Sequence, residues 1–396
     1  MVAVVALVAP AHRALAQRPG VVPGVEVLLA DSLHLVRGQR VGLITNHTGR
    51  DRAGTSTVDL LYRAPGVRLT ALFAPEHGLR GAARGGERIA SSVDSATGVP
   101  VYSLYGATMV PSPAMLAGID VLVYDIQDVG ARPYTFVWTM ALAAGAAKKP
   151  FIVLDRPNPI RADVVEGGVM RREFRSLTGR YDVALRYGLT PGELIRWLAG
   201  SGAISADVRV VPMRNYRRAM WFDDTAIPWV NPSPNIRDLD ATLLYPGTVF
   251  FEATNMSEGR GTDTPLTLVG APWLTDAAAI AREMNALPLA GLRVEPATRT
   301  IGAGEKFAGH TIPVLRLRVT ARDSVRPVEA AARLLRAVYA RHPRDFRWHS
   351  NGIEELSGSR ALRAAVEQGK TAALLVSWRR EADDFQRSTR PYWLYP

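Results

Sequence analysis

The chain alternates between continuous apolar runs and polar turns, and this pattern dominates its first half. The apolar runs lie at 40–45, 67–73, 99–105, 120–126 and 150–154. Stretches with a helical pattern separate or follow them, among them 57–64, 135–147 and 190–199. Near-continuous Val, Ile and Leu strands that alternate with helices are typical of a parallel sheet covered on both faces. The pattern therefore predicts an α/β fold with a Rossmann-like, doubly wound parallel sheet.

The second half of the chain has a different pattern. It predicts helices at 276–286, 328–340 and 360–367, and one alternating strand at 311–320. A Pro-rich turn at 229–235 precedes this change and marks the domain junction. We therefore place a Rossmann-like domain at 24–240 and a smaller α+β domain at 241–396.

Composition excludes several classes of protein. With 47% hydrophobic and 21% charged residues in 396, the chain is that of a folded globular protein. It has no cysteine, which excludes disulfides, thiolate catalysis and zinc sites built on Cys. No apolar run reaches the ~20 residues that a membrane-spanning helix needs. We therefore expect no integral membrane association.

The first residues are typical of a secretory leader. A short apolar stretch precedes Ala14-Leu15-Ala16, an Ala-x-Ala cleavage pattern that predicts a signal peptide at 1–16. The positively charged segment that usually begins such a leader is missing. The alternative is a disordered apolar tail. We expect export to the periplasm or the extracellular space.

The net charge of +11 raises the question of nucleic-acid binding. Only four of the 48 basic residues are lysines, which indicates a composition bias rather than selection for phosphate contacts. The arginines are scattered, and no stretch interleaves aromatic and basic residues as nucleic-acid-binding surfaces do. We expect no nucleic-acid partner and a modest attraction for anionic substrates.

Acidic residues stand at the ends of three successive predicted strands. They are Glu76, then Asp125 and Asp128, and then Asp155. The carboxyl ends of parallel strands meet at one edge of the sheet, which is also where such sheets bind ligands. A single acid at such a position is commonly a helix N-cap or half of an ion pair. Four at three strand ends predict a site at this edge.

The chemistry of this site follows from its residue types. The chain lacks a G-x-G-x-x-G fingerprint at a strand–helix turn, a P-loop and a G-x-S-x-G elbow. A metal site is disfavoured because the adjacent Glu76 and His77 rarely point at one centre. Paired carboxylates fit glycoside hydrolysis, in which one acid protonates the leaving oxygen. Candidate sugar-stacking residues are Tyr124, Tyr134, Trp138, Trp229 and Trp273.

Several motifs together resemble those of the NamZ-type exo-β-N-acetylmuramidases, formerly a domain of unknown function. They lie at 42–46 (GLITN), 74–78 (APEHG), 125–132 (DIQDVGAR), 154–159 (LDRPNP), 255–262 (NMSEGRGT) and 270–273 (GAPW). The resemblance implies a cleft between a Rossmann-like domain and a smaller C-terminal domain. It also implies exo-hydrolysis that releases N-acetylmuramic acid from the non-reducing ends of peptidoglycan fragments, without a nucleotide or a metal. The partner is then a peptidoglycan-derived oligosaccharide or muropeptide.

By motif, the resemblance makes Glu76 the catalytic acid and Glu166 its partner. The expected substrate-binding residues are Asn46, His77, Asp125, Asp128, Arg132, Tyr134, Asn255, Glu258 and Arg260. The chain has His47 and Gly168 where proline is expected in relatives, and Gly168 loosens the turn that holds Glu166.

Recognition of muramic acid needs a cation, since its lactyl ether carries a carboxylate that glucosamine lacks. Arg260, between two glycines, is the first candidate to bind this group, and Arg132 is the second. The alternative for Arg260 is a structural salt bridge to Glu258 or Asp263. Two other functions stay open for the whole chain, a non-catalytic muropeptide-binding protein and a metal-dependent hydrolase of an ester or amide.

Overall fold

The computed structural model describes residues 20–81, 87, 90–350 and 352–396, so the predicted signal peptide lies outside the described residues. Within them the strands are β1 Arg40–Thr45, β2 Arg68–Ala74, β3 Ser92–Val93, β4 Pro100–Ser103, β5 Val121–Asp125, β6 Phe151–Leu154, β7 Glu166–Val169, β8 Ala184–Arg186, β9 Val208–Val211, β10 Leu268–Gly270, β11 Leu292–Thr300 and β12 Thr311–Val319. The α-helices are α1 Gly24–Asp31, α2 Thr57–Arg63, α3 Pro113–Leu116, α4 Phe136–Ala147, α5 Pro191–Gly200, α6 Leu239–Thr248, α7 Ala277–Asn285, α8 Pro327–Arg341, α9 Gly352–Ser357, α10 Ala361–Gln368 and α11 Thr371–Thr389.

A seven-stranded sheet forms the centre of the larger domain, in the order β3-β4-β2-β1-β5-β6-β9. All neighbouring pairs are parallel except β3 and β4, which are antiparallel. Counted along the chain, the parallel strands lie in the order 3-2-1-4-5-6, which is the order of doubly wound dinucleotide-binding sheets. The predicted α/β fold with a Rossmann-like sheet is confirmed.

Alternate residues of the central strands enter two separate cores. Leu43 of β1 and Ile152 of β6 pack in the core that contains α1 and α2, whereas Ile44 and Val153 pack in the core that contains α4 and α5. Successive side chains of a strand point to opposite faces, so both faces of this sheet are buried. This explains why the strands read as continuous apolar runs.

The second, smaller domain contains the antiparallel sheet β10-β12-β11, against which α7 packs. The end of the chain returns to the first domain, where the Tyr395 hydroxyl donates a 2.6 Å hydrogen bond to Asp155. None of the helices in the described ranges is both long and apolar enough to cross a membrane.

Candidate active site

A cleft of about 610 Å³ lies between the two domains. Its walls come from the turn after β2, from 133–135 before α4, from the loop 233–237, and from 252–261 and 304–306 of the smaller domain. The volume is within the range of small-molecule sites, and polar side chains converge on it from both domains. This makes the cleft the candidate active site.

Glu76 enters the cleft on a tight turn at the end of β2. The Gly78 amide donates a 3.0 Å hydrogen bond to the Pro75 carbonyl and closes the turn around Glu76 and His77. His77 has φ of 68°, in the left-handed region that non-glycine residues rarely adopt. Such strain costs about 1–3 kcal/mol and persists only where the surroundings enforce it, commonly at functional sites.

A threonine and a histidine from other elements support this turn. Thr135 donates a 2.6 Å hydrogen bond from Oγ1 to Oε2 of Glu76. His47 lies at 2.7 Å from the Asn231 carbonyl through Nε2, and a Cβ at Gly81 would lie 2.1 Å from its Nδ1. His47, at the position where relatives are expected to have proline, therefore packs against Gly81 in the segment that follows Glu76.

Glutamates and cations alternate on the opposite wall. Arg260 donates from Nε to Glu258 at 2.8 Å and from Nη2 to Glu252. Lys306 donates to Glu258 at 3.3 Å and to four backbone carbonyls between 251 and 256. Glu258 is 5% exposed, whereas Glu252 is 32% exposed. Glu252 is therefore the carboxylate of this network that is open to a ligand.

Burial and charge act against each other within this network. Burial raises the pKa of Glu252, and the attraction of Arg260 opposes the rise without cancelling it. Burial also opposes the charge of Arg260, but the two carboxylates outweigh it and raise the pKa of the guanidinium. Arg260 is thus always charged, and it favours the anionic form of Glu252.

Two tyrosines supply the aromatic surface of the cleft. The rings of Tyr134 and Tyr245 meet edge to face with centroids 5.8 Å apart. Tyr134 packs in the same way on Phe136 at 4.8 Å. Burial raises the pKa of both hydroxyls, so they remain neutral donors. An apolar ring edge with a neutral hydroxyl suits a sugar, which has both apolar faces and hydroxyl groups.

Family models match almost the entire described chain. The N-terminal model of the exo-β-N-acetylmuramidase NamZ matches residues 41–240, and the C-terminal model matches residues 243–395. The chain belongs to the NamZ family. Peptidoglycan β-N-acetylmuramidase NamZ of Bacillus subtilis is 40% identical over 385 residues, which cover 96% of this chain and 92% of that protein.

Two solved structures share the fold of this NamZ-family chain. Both are DUF1343 family proteins of Bacteroides fragilis. The first has a TM-score of 0.89 and 34% identity, and the match covers 96% of this chain and 100% of that one. The second has a TM-score of 0.76 and 26% identity, with 95% and 99% covered.

The cleft brings together part of the set of residues expected from the sequence. Those that line it are Glu76, His77, Tyr134, Glu258 and Arg260. Sequence reasoning missed Thr135, Arg237, Glu252 and Lys306, which line it as well. Glu252 stands inside an apolar run, between Phe251 and Ala253. An isolated acid in an apolar run is the one feature of the sequence that could have indicated a functional role for Glu252.

Glu166 does not line this cleft, so the structure does not support it as the partner of Glu76. Its Oε1 accepts hydrogen bonds from the amides of Val328 at 2.8 Å and Glu329 at 3.0 Å, at the N-terminus of α8. It lines a separate cavity of about 370 Å³. Burial raises its pKa to about 7, against the attraction of Arg186. The placement is that of a helix-capping residue.

The acids at the ends of β5 and β6 are also absent from the cleft lining. Asp125 accepts hydrogen bonds from Arg156 and Thr57 in a buried ion pair. Asp125 lies at the switch point between β1 and β5, the position at which doubly wound sheets bind ligands. The cavity beside Arg156 at this position measures only about 30 Å³. The ion pair therefore fills the usual ligand position, and the cleft opens beside β2 instead.

Asp128 and Asp155 hold turns rather than a ligand. Asp128 accepts hydrogen bonds from the Gly130 amide at 2.7 Å and from Tyr187. Asp155 accepts them from Thr190 at 2.7 Å and from the Gly192 amide at 2.8 Å, at the start of α5. The expected convergence of these acids with Glu76 in one site is therefore wrong.

Arg132, Asn46 and Asn255 have structural contacts. Arg132 is fully buried and donates to the carbonyls of Gly168, Val183 and Leu356 at 2.8–2.9 Å. Burial lowers its pKa to about 9. Asn46 accepts from the Thr48 amide within its own turn, and Asn255 bridges to 345 and 347. The prediction of Arg132 as a substrate cation is wrong.

Among the described residues, no group of three or more His, Asp or Glu side chains is placed to hold a metal ion.

Proposed function

We propose that this protein is an exo-acting β-N-acetylmuramidase. It hydrolyses the β-1,4 glycosidic bond and releases N-acetylmuramic acid from the non-reducing ends of peptidoglycan fragments. The observation that carries the proposal is the cleft, in which Glu76, held by Thr135, and the partly open Glu252 are presented from opposite domains. The Bacillus subtilis relative, a peptidoglycan β-N-acetylmuramidase, supports the substrate class.

Glu76 acts as the general acid in this proposal. Its protonated carboxyl donates to the glycosidic oxygen as the bond to the anomeric carbon breaks. The oxygen of a water molecule bonds to that carbon, and the proton that the water releases restores the protonated carboxyl. Thr135 fixes the orientation of the carboxyl through the hydrogen bond to Oε2. The tight turn at Pro75 and Gly78 limits the motion of the backbone beneath it.

Glu252 takes the role that was expected for Glu166. Positive charge develops on the sugar ring in the oxocarbenium-like transition state, and an anionic carboxylate stabilises it. Arg260 holds one oxygen of Glu252 and favours its anionic form. Glu258 is engaged by Arg260 and Lys306, so it organises the wall without facing the sugar.

Release of a chromogenic group from a β-N-acetylmuramide, with and without chelator, tests the function. We expect release that is insensitive to chelator and is lowered in Glu76→Gln, although by less than for a natural disaccharide, because a good leaving group needs less protonation. Glu166→Gln is the matched control, since Glu166 lies in a separate cavity. Binding without release would instead indicate a muropeptide-binding protein, and release that chelator abolishes would indicate a metal-dependent hydrolase.

Export of the protein is a further part of the proposal. The apolar stretch before Ala14-Leu15-Ala16 supports a cleaved leader, and peptidoglycan lies outside the cytoplasmic membrane. Expression of the full chain in a bacterial host, followed by N-terminal sequencing of the periplasmic and secreted fractions, tests it. We expect mature protein that begins at Gln17, and a chain that stays in the cytoplasm uncleaved would contradict it.

A further inference from the structure

The cations of the cleft differ in what they bind. Three Arg or Lys residues of the described chain line it, namely Arg237, Arg260 and Lys306. Arg260 is held by two carboxylates, and Lys306 donates to Glu258 and to four carbonyls. Arg237 differs from both, because it donates to backbone carbonyls and no carboxylate among the described residues pairs with it.

Backbone carbonyls from both domains fix the guanidinium of Arg237. Nε donates to the Pro234 carbonyl at 3.1 Å, and Nη1 donates to the carbonyls of Thr262 at 3.3 Å and Asp263 at 3.4 Å. Nη2 has no acceptor among the described residues. Neutral carbonyls orient the group but leave its charge largely uncompensated. Arg237 therefore presents a fixed, available cation at the edge of the cleft.

The charge of the cleft explains why such a cation matters. Four glutamates line it, namely Glu76, Glu252, Glu258 and Glu305. Arg260 and Lys306 are paired with Glu252 and Glu258, so neither of these two cations is available to an anionic ligand. A sugar that carries a carboxylate binds here only if an unpaired cation meets that carboxylate. Among the described residues that line the cleft, Arg237 is the cation that meets this condition.

We propose that Arg237 binds the lactyl carboxylate of N-acetylmuramic acid and selects muramides over glucosaminides. The proposal rests on the proposed function and assigns its specificity to one residue. Arg260 was expected in this role, but its guanidinium is already paired with Glu252 and Glu258, which favours Arg237. A guanidinium forms charge-assisted hydrogen bonds with a carboxylate, whereas an uncharged sugar substituent leaves Arg237 without a charged partner.

Kinetics on three chromogenic substrates test this role. They are a β-N-acetylmuramide, the same compound with its lactyl carboxylate converted to an amide, and a β-N-acetylglucosaminide. For Arg237→Met we expect KM for the muramide to rise about 10- to 100-fold with kcat within about 3-fold, since charge-assisted bonds have this magnitude. The amide and the glucosaminide should show KM changes below about 3-fold. Arg237→Lys should recover part of the loss.

The matched control is Arg282→Met, which removes an exposed arginine of α7 that does not line the cleft. It should leave all three substrates unchanged. Equal KM changes for the carboxylate and amide substrates in Arg237→Met would show that the residue only shapes the cleft. Unchanged KM for all three would also overturn the proposal.

Calorimetric binding of free N-acetylmuramic acid and N-acetylglucosamine separates this proposal from the proposed function. Wild-type protein should prefer the muramic acid, and Arg237→Met should lose the preference. A wild-type protein that cleaves no muramide but keeps this Arg237-dependent preference would refute hydrolysis while supporting the role of Arg237. The same weak affinity for both sugars in wild type and variant would refute the role of Arg237.

Discussion

Thr135 donates a 2.6 Å hydrogen bond from its Oγ1 to Oε2 of Glu76. Thr135 directly precedes α4, and its side chain does not cap that helix. The hydroxyl is therefore free to hold the carboxyl, and it ties the strand-end turn to a buried helix of the same domain. The pair joins two elements that are 59 positions apart in the chain.

Loss of this hydroxyl should slow turnover without preventing binding. We expect Thr135→Val to lower kcat about 10-fold with little change in KM, because a misoriented acid transfers its proton less efficiently. Thr135→Ser keeps the hydroxyl and should recover most of kcat. Steady-state kinetics on a natural disaccharide measure both. A serine variant as slow as the valine variant would show that packing of the methyl group, rather than the hydrogen bond, is what matters.

Glu76→Gln should have the largest effect on turnover. General-acid assistance is typically worth ~10²–10⁴-fold, so we expect kcat on a natural disaccharide to fall by about 10²-fold or more. The loss should be smaller with a good leaving group, which needs less protonation. Glu166→Gln should keep kcat within about 3-fold. An equal loss of kcat in both variants, with unchanged melting temperatures, would restore Glu166 to the chemistry.

The sequence predicted the sheet because its strands are buried on both faces. β1 is Arg40–Thr45, which coincides with the predicted run, and α4 begins one residue after its predicted start. The longest helix, α11, was missed, although Leu374, Trp378 and Phe385 recur on its buried side. Its opposite side is charged and exposed, which lowers the apolar content on which the prediction depended.

The site was harder to predict because each acid has a partner that is distant in sequence. Asp125 pairs with Arg156, 31 positions away, and Glu166 caps a helix that begins 162 positions away. Local sequence shows that an acid stands at a strand end, but it does not show whether a cation or an amide will meet it. The motif makes Glu76 a candidate, whereas Glu252 becomes one only from its place in the cleft.

Asp128 provides a test of stability against pH. Burial raises its pKa to about 6 from the ordinary 3.8, against the hydrogen bond from Tyr187. Between these values the folded protein keeps a proton that the unfolded chain releases, so stability decreases as pH rises from about 4 to 6 and is constant above. Asp128→Asn stays neutral in both states. The melting temperature of the wild type relative to this variant should therefore decrease over that interval.

Asp120→Asn is the control for the Asp128 measurement. Its hydrogen bonds with Arg40 lower the pKa of Asp120, so its contribution is present above about pH 4 and lost only below it. The difference between wild type and Asp120→Asn should be constant from pH 5 to 7. A constant difference for Asp128→Asn as well would show that Asp128 is ionised in the folded protein.

Arg260 should prove to be an organiser of the cleft wall. Arg260 is 26% exposed and is paired with both Glu252 and Glu258. Removal of one partner from a buried ion pair lowers the free energy of unfolding by about 3–5 kcal/mol, because the other charge is left without a partner. Arg260→Met should therefore lower the melting temperature by several degrees. It also removes the attraction that opposes the raised pKa of Glu252. Since Glu252 must be anionic, the acidic limb of the kcat/KM profile should move to higher pH.

Arg260→Lys separates charge from geometry in this network. It keeps the positive charge but loses the rigid fork that meets Glu258 through Nε and Glu252 through Nη2, so both the melting temperature and the pH profile should lie between those of wild type and Arg260→Met. Thermal denaturation and pH-rate profiles on the chromogenic muramide measure the series. A methionine variant with unchanged melting temperature and pH profile, but a raised KM for muramides alone, would mean that Arg260 binds the substrate carboxylate after all. The pairing of Arg260 with Glu252 and Glu258 predicts the opposite result.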